Sequence, residues 1–247
     1  MGKVHVFNYG DLVNDKMALL LKGKGINKVV FSYSGVPKKY LYILERHGIK
    51  WLKEKKGLSN SSVAEEGINL VFKWFNQIGV RFELNNKSVL VIGSEGHIGK
   101  QLCSILKGFG CNVLDYDVVL REKRQLDLWL DFADLIFICT PELDAPLLGG
   151  REFGLMKNNP LIVNVSGRPS LVNQKVLHEY FDKGKVLGYT ADHEPFDLVS
   201  DCNSQMHVNK CFFQKHQGAR TLEAIERRLL EKERNISELN TRIIKGV

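Results

Sequence analysis

Short apolar runs alternate with longer stretches whose apolar residues recur every three or four positions, and the alternation becomes regular from Ser88 onward. Strands are predicted at "SVLVIG" (88–93), "NVLDYD" (112–117), "DLIFIC" (134–139), "PLIVNV" (160–165) and "KVLGYTA" (185–191). Between them, "HIGKQLCSILKGFG" (97–110), "GREFGLMKN" (150–158) and "LVNQKVLHEYFDKG" (171–184) carry helical spacing, and a charged segment (121–131) precedes the strand at 134. Strand and helix alternating at this pitch predict a parallel sheet with helices on both faces, since each crossover must return the chain to the same end of the sheet.

The front of the chain repeats the pattern on a smaller scale. Strands at 3–7 and 28–35 flank a helix over 11–23 that Gly23 ends, and a second helix over 37–48 has Pro37 in its first turn and Gly48 after its end. Serines and Asn60 supply an N-cap for a long apolar helix over 63–77, and the polar stretch 81–88 leads into the regular part. Residues 197–209 have no clear period. A last helix over 220–244 carries Leu222, Ile225, Leu229, Ile236, Leu239 and Ile243 on a docking stripe. The predicted fold class is α/β, a Rossmann-type doubly wound parallel sheet with a small, reduced second α/β lobe. Residues 1–62 form the lobe, completed by the helix over 220–247, and residues 63–219 form the sheet domain.

Composition changes this picture little. With 247 residues, 44% hydrophobic and 26% charged, the chain can bury a substantial core. The net charge of +7 is spread, its densest runs being "KEKK" (53–56) and "REKR" (121–124), without the aromatic interleaving of a nucleic-acid surface. No nucleic-acid partner is expected. Five cysteines form no C-x-x-C pair, and three of them sit in apolar or helical context as reduced core thiols do. Cys202 and Cys211 bracket His207 but lack close paired ligands, so no metal site is expected. No apolar run approaches the ~20 residues of a membrane span, "MGKVHVF" has no signal-peptide core, and Val6 stands where a myristoylation signal has Ser or Thr. A cytoplasmic protein with no membrane association is expected.

The chemistry begins at "VIGSEGHIGK". Gly93, Gly96 and Gly99 follow a strand and open a helix, as in dinucleotide folds, but with the spacing G-x-x-G-x-x-G in place of G-x-G-x-x-G. Glycine lets backbone N–H groups approach a diphosphate, and the helix N-terminus complements its charge. Asp117, ending the next strand 18 residues after Gly99, stands where a carboxylate holds the ribose hydroxyls. That carboxylate repels a 2′-phosphate and no arginine directly follows it, so NAD(H) is expected over NADP. Glu95 either faces the phosphates, where its charge opposes binding, or is turned outward by the extra residue; a sheet of this type that binds nothing is the plain alternative.

From about Lys28 to the C-terminus the chain resembles the D-isomer-specific 2-hydroxyacid dehydrogenases. "SVAEEGINLVF" is similar to the helix joining the family's two lobes, the block 89–117 to its cofactor half, and "FGLMKNNPLIVNVSGRPSLVNQKVLHEYFDKGKVLGYTADHEP" to its most characteristic stretch. "KHQGARTLEA" resembles the family's Pro-His-x-Gly-Gly-Ser run. The resemblance implies Arg168, Glu194 and His216 as catalytic residues. It implies Gly93, Gly96, His97, Ile98, Gly99, Asp117, Thr140, Pro141, Ser166 and Asp192 as cofactor-binding, and Ser34, Gly35 and Val36, with Arg168, as substrate-binding. Only about 27 residues precede the part similar to the substrate lobe, so a reduced lobe and a shallow cleft open to a bulky substrate are expected.

The three residue types also suit one another chemically. An arginine fork can grip a 2-keto acid's carboxylate and polarise the neighbouring carbonyl. A histidine can protonate the alkoxide left after hydride addition, and a carboxylate can orient that histidine. Taken singly, Arg168 is a surface charge, His216 an exposed loop histidine and Glu194 a turn residue before Pro195; their occurrence in matching order carries the assignment. The expectation is an NAD(H)-dependent reductase of a 2-keto acid or related carbonyl, with a homodimer as the family habit implies. A non-catalytic NAD-sensing scaffold, akin to co-repressors that resemble these dehydrogenases, is the alternative. A cofactor domain like that of S-adenosylhomocysteine hydrolase fits "KHQGARTLEA" poorly.

Overall fold

The computed structural model of the chain describes residues 3–8, 11–31, 36–55, 57–193, 208–214 and 216–244. It divides into two compact units, Met1–Leu58 with Leu222–Val247, and Ser59–Thr221.

In the first unit β1 (Val4–Phe7), α1 (Asp15–Gly23), β2 (Lys28–Phe31), α2 (Lys38–Arg46) and β3 (Lys50–Lys53) follow in order, and the strands form a parallel sheet β1-β2-β3. Asn14 caps α1, its side chain accepting from the Met17 amide at 2.9 Å. The helix, expected to end at Gly23, includes that residue and turns at Gly25, whose φ of +68° supplies a left-handed step. Phe7, Val29, Phe31, Ala18, Leu21 and Leu44 fill the core. The C-terminal helix, Leu222–Ile244, belongs to this unit and packs on β2 and β3, burying Ala224 and Leu239. Strand β3 escapes prediction because "KWLK" has charged, exposed ends around two half-buried residues.

The second unit holds α3 (Asn60–Gln77), β4 (Ser88–Ile92), α4 (His97–Gly108), β5 (Asn112–Tyr116), α5 (Lys123–Phe132), β6 (Leu135–Ile138), α6 (Gly150–Leu155), β7 (Leu161–Asn164), α7 (Gln174–Asp182), β8 (Gly188–Ala191) and β9 (Cys211–Phe213). Its six strands are all parallel in the order β5-β4-β6-β7-β8-β9. Alternate strand residues serve opposite faces: Val89 and Val91 join Leu70, Trp74 and Leu102 of α3 and α4, whereas Leu90 and Ile92 join Leu126, Phe153 and Leu177 of α5, α6 and α7. Burial on both faces explains why these strands read as continuous apolar runs. Each large aliphatic or aromatic side chain so buried contributes about 1.5–3 kcal/mol.

Two differences from the sequence pattern have physical causes. The charged segment 121–131, to which that pattern assigns no element, contains α5, because Leu126 and Leu130, four residues apart, give it one buried stripe that the surrounding charges mask. Helix α7 begins only at Gln174, since Pro169–Leu171 form a single 3₁₀ turn after the proline. Gly188 is fixed by packing: a Cβ there would lie 2.3 Å from the Trp74 ring, which lies over β8 and donates from Nε1 to Lys210 O at 3.1 Å.

Candidate active site

The strand order reverses around β4, which pairs with β5 on one side and β6 on the other. Ligand crevices in such sheets open outside the carboxyl ends of the strands at this switch point. Both glycine turn and "CTP" sit there. Gly93 takes φ +90°, and its amide and that of Ser94 both donate to Tyr116 O, at 2.8 and 3.1 Å. A Cβ at Gly93 would lie 3.0 Å from the carbonyl carbon of Cys139, so the β4 turn and the end of β6 are in direct backbone contact. At Gly99 the restriction is harder, because a Cβ would stand 2.1 Å from Gly93 O and 2.8 Å from Ser94 Cα. Gly96 precedes α4 in extended geometry with no side-chain cap, which leaves the first-turn amides without a side chain covering them.

The side chains around the turn match a nucleotide on three counts. Ser94 Oγ and Thr140 Oγ1 are buried hydroxyls that make no hydrogen bond among the described residues; a buried hydroxyl ordinarily has a partner. Glu95, which threatened the phosphate site, directs its carboxylate to Lys100 Nζ of α4 at 2.8 Å. Asp117 lies just beyond β5, its Oδ2 accepting from the Glu95 amide at 3.1 Å and its Oδ1 from the Val119 amide at 3.2 Å. The extra residue of the loop is thereby tied down by the predicted ribose carboxylate. Arg121, the first arginine after Asp117, is committed to Asp115 (Nε to the carbonyl at 2.8 Å, Nη2 to Oδ1 at 2.5 Å) and stacks 4.9 Å from the Trp129 ring centroid. Burial pushes the Cys139 thiol up, so it stays neutral beside the turn.

A second cluster forms at the ends of β7 and β8. Beyond Asn164, Gly167 takes φ +68° and Arg168 is extended (φ −127°, ψ 100°), as Pro169 requires of the residue before it. The Arg168 side chain is exposed, and its Nη1 donates to Ser166 O at 2.6 Å. After β8, Asp192 is buried; its Oδ1 accepts from the Gln217 amide at 2.7 Å and its Oδ2 from the Gly218 amide at 2.8 Å. This pair of bonds folds residues 216–218 back onto β8, and Gly218 permits it, since a Cβ there would lie 2.8 Å from Asp192 Oδ2.

His216 itself has φ +46°, and its Nδ1 lies 3.0 Å from Asp192 O. A carbonyl can only accept, so Nδ1 carries the hydrogen and Nε2 is the position turned to other chemistry. A Cβ at Gly167 would stand 2.7 Å from His216 Cε1. The imidazole therefore rests on the residue preceding Arg168, and two side chains 48 positions apart share one corner of the sheet.

The remaining expected residues divide. His97 and Ile98 open α4, Pro141 follows Thr140 past β6, and Ser166 lies in the Arg168 loop. Asp192, expected as a cofactor contact, spends both carboxylate oxygens on the 217–218 amides. Val36 is a buried core residue of the first unit. Ser34, Gly35 and Glu194 lie outside the described residues, as do Cys202 and His207. Among the described residues no group of three or more His, Cys, Asp or Glu side chains could hold a metal, and no helix is long and apolar enough to cross a membrane. A groove of about 550 Å³ lies between the loop after β6 and the 3₁₀ turn after Arg168, lined by Glu142, Asp144, Pro146, Pro169, Ser170 and Lys175 among others.

Sequence reasoning missed Asn164, Tyr189 and the two amides that hold Asp192. An asparagine inside the apolar run "LIVNV" was the available signal, since a polar side chain at a buried strand position must find partners.

Asp192→Asn sets an amide N–H against one of the two backbone donors, at a cost of about 1–3 kcal/mol. Denaturant titration is expected to show that loss, with kcat reduced through the displaced His216 and NADH affinity retained. A variant with wild-type stability and kcat would remove Asp192 from this role.

Comparison with known proteins agrees with this construction. Residues 60–218 match the sequence model of the D-isomer specific 2-hydroxyacid dehydrogenase, NAD binding domain. The chain is 34% identical over 132 residues to the D-specific alpha-keto acid dehydrogenase of Enterococcus faecalis, covering 50% of this chain and 40% of that protein. It is 27% identical over 231 residues to the D-lactate dehydrogenase of Streptococcus agalactiae, covering 81% of this chain and 69% of that one. The solved structure of D-2-hydroxyisocaproate dehydrogenase superposes with a TM-score of 0.82 at 16% identity, over 97% of this chain and 83% of the other. D-lactate dehydrogenase with NAD+ from Lactobacillus jensenii gives 0.78 at 19% identity, over 96% and 83%. At these identities the structural likeness speaks for the fold.

Proposed function

The chain belongs to the D-isomer specific 2-hydroxyacid dehydrogenase family and carries its NAD-binding domain, and on that premise we propose that it reduces a 2-keto acid to a 2-hydroxy acid with NADH. The observation that carries the proposal is the His216 ring resting on Gly167, beside Arg168, with Nδ1 held by Asp192 O. NADH, when bound, supplies the hydride for the carbonyl carbon. The first-turn amides of α4, the hydroxyls of Ser94 and Thr140 and the carboxylate of Asp117 are the groups that would hold it.

Arg168 takes the substrate's carboxylate on its guanidinium fork and draws electron density from the adjacent carbonyl. His216 gives its Nε2 proton to the carbonyl oxygen as charge develops there, and the Asp192 carbonyl keeps the ring in register. Glu194 is assigned the carboxylate that favours the imidazolium. We assign the unit of residues 1–58 and 222–247 to the family's substrate lobe, with the backbone N–H groups of Ser34, Gly35 and Val36 as its contacts to the substrate carboxylate; the Val36 side chain is buried in that unit's core.

The family habit supports a homodimer paired through the cofactor unit, which sedimentation would read directly. The free thiols of Cys103, Cys111, Cys139 and Cys211 support a reducing cytoplasm.

Fluorescence titration with NADH, and with NADPH as control, followed by a keto-acid panel tests the reading. NADH is expected to bind at least about tenfold more tightly than NADPH, because Asp117 repels a 2′-phosphate. NADH oxidation is expected only with a 2-keto acid present. Failure of both nucleotides to bind sinks the cofactor assignment, whereas binding without oxidation of any keto acid favours the scaffold alternative.

A further inference from the structure

Beneath the Arg168 loop runs a buried polar chain that the proposed reaction does not use. Asn164, fully buried at the end of β7, satisfies its whole amide group. Its Nδ2 donates to Arg168 O at 3.0 Å and to Tyr189 Oη at 3.1 Å, and its Oδ1 accepts from the Ser166 amide at 3.1 Å and from Ser166 Oγ at 2.6 Å. Ser166 Oγ in turn accepts from the Arg168 amide at 3.1 Å. One side chain thus closes the loop from 164 to 168 from the inside.

Asn164 is itself held from β8. Tyr189 is fully buried, and its Oη lies 3.4 Å from Nε2 of His193, which is also buried. With Oη accepting from Asn164, the phenol hydrogen is available to His193. Burial raises the Tyr189 pKa, so the group stays a neutral donor. His193 directly follows Asp192, whose carboxylate and carbonyl hold Gln217, Gly218 and His216. The chain Ser166–Asn164–Tyr189–His193 therefore joins the loop bearing Arg168 to the strand end that bears the His216 anchor.

We infer that Tyr189 is a positioning residue: its buried hydroxyl, seated between Asn164 and His193, fixes the loop that presents Arg168 and registers it against His216. A phenylalanine has the same ring and would fill the same space, so packing alone does not account for a hydroxyl buried here with two polar partners. An unmade bond at such a site leaves the other group desolvated and unpaired. The relief available is movement of the Asn164 amide, and the first groups to follow it are the Ser166 and Arg168 backbones that it holds.

The inference rests on the carboxylate-binding role proposed for Arg168, and the test separates the two. Tyr189→Phe is expected to raise KM for the keto acid about tenfold and to lower kcat by a smaller factor, since Arg168 also polarises the carbonyl, with the NADH dissociation constant within about twofold of wild type. Amide exchange at Ser166 and Arg168 is expected to speed up about tenfold. His193→Leu should do the same, and His193→Gln, which keeps an acceptor for the phenol, should retain wild-type values. A folded Tyr189→Phe with wild-type KM and wild-type exchange at 166 and 168 overturns the inference, as does one that loses stability alone. If Tyr189→Phe does not fold, His193→Leu decides by the same two readouts. Arg168→Ala is run beside them: full activity there removes the carboxylate role, while the exchange rates still report whether Tyr189 holds the loop.

Discussion

Replacing Arg168 with alanine is expected to lower kcat/KM for a 2-keto acid by about 10³-fold, or about 4 kcal/mol, while NADH affinity stays within about twofold. The size follows from the double duty assigned to the guanidinium. It neutralises a carboxylate through charge-assisted hydrogen bonds and polarises the carbonyl beside it, so its removal costs both binding and the chemical step. The groups proposed to hold the cofactor lie in other loops, at the ends of β4 and β6, which pair with each other, and should not respond. Arg168→Lys should recover about tenfold at most, because an ammonium restores the charge without the planar fork. His216→Ala is the companion measurement: it should lower kcat by roughly 10²–10⁴-fold with less change in KM, since proton donation acts in the transition state. Steady-state kinetics with a fixed keto acid distinguish the two signatures. Wild-type rates in either variant would remove that residue from the mechanism.

Gly99→Ala should be the most damaging single methyl group in the NAD-binding unit. The added carbon would stand 2.1 Å from Gly93 O and 2.8 Å from Ser94 Cα, both backbone atoms of the turn, so no flexible side chain can yield. Either α4 lifts from the turn or the turn opens, at a cost of about 3 kcal/mol or more. For a unit of this size that corresponds to a fall in Tm of roughly 6–12 °C. NADH affinity should fall at least about 100-fold, because the amides meant for the diphosphate move with α4. Gly108, the last residue of the same helix, is the control: a Cβ there meets nothing within 4 Å, and Gly108→Ala should be neutral or stabilising by up to about 1 kcal/mol. Thermal unfolding and nucleotide titration on the two variants give the comparison. Wild-type binding by Gly99→Ala would show that the turn is not where the nucleotide sits.

How far each feature could be read in advance depended on the range of the interactions that make it. Strands β4, β6, β7 and β8 declared themselves because burial on both faces favours apolar runs, and α3 and α4 because one face of each is apolar. Gly93 and Asp117 were legible for the same reason: a turn with positive φ and the residue just past a strand are local facts. The extended Arg168 is local in the same sense, since Pro169 restricts the residue before it. Strand β9, by contrast, is three residues long and gains its place from pairing with β8. Helix α5 shows its two buried leucines only once a sheet stands beneath them. The direction of Glu95 was open until Lys100 and Asp117 were seen to hold its side chain and its amide.

The amino-acid order alone determined the alternation of elements, the glycine turn into α4 and the residue types Arg168 and His216, since periodicity, turn chemistry and side-chain chemistry are properties of neighbours along the chain. Tertiary structure decided that Asp192 is spent on the 217–218 amides, that the His216 ring lies over Gly167, and that Asn164 and Tyr189 meet beneath the Arg168 loop. Those contacts join residues 25 to 49 positions apart, and they exist only because parallel pairing sets the ends of β7 and β8 side by side. A hydrogen bond across that distance leaves no periodic trace in the chain; it is fixed by strand order and register.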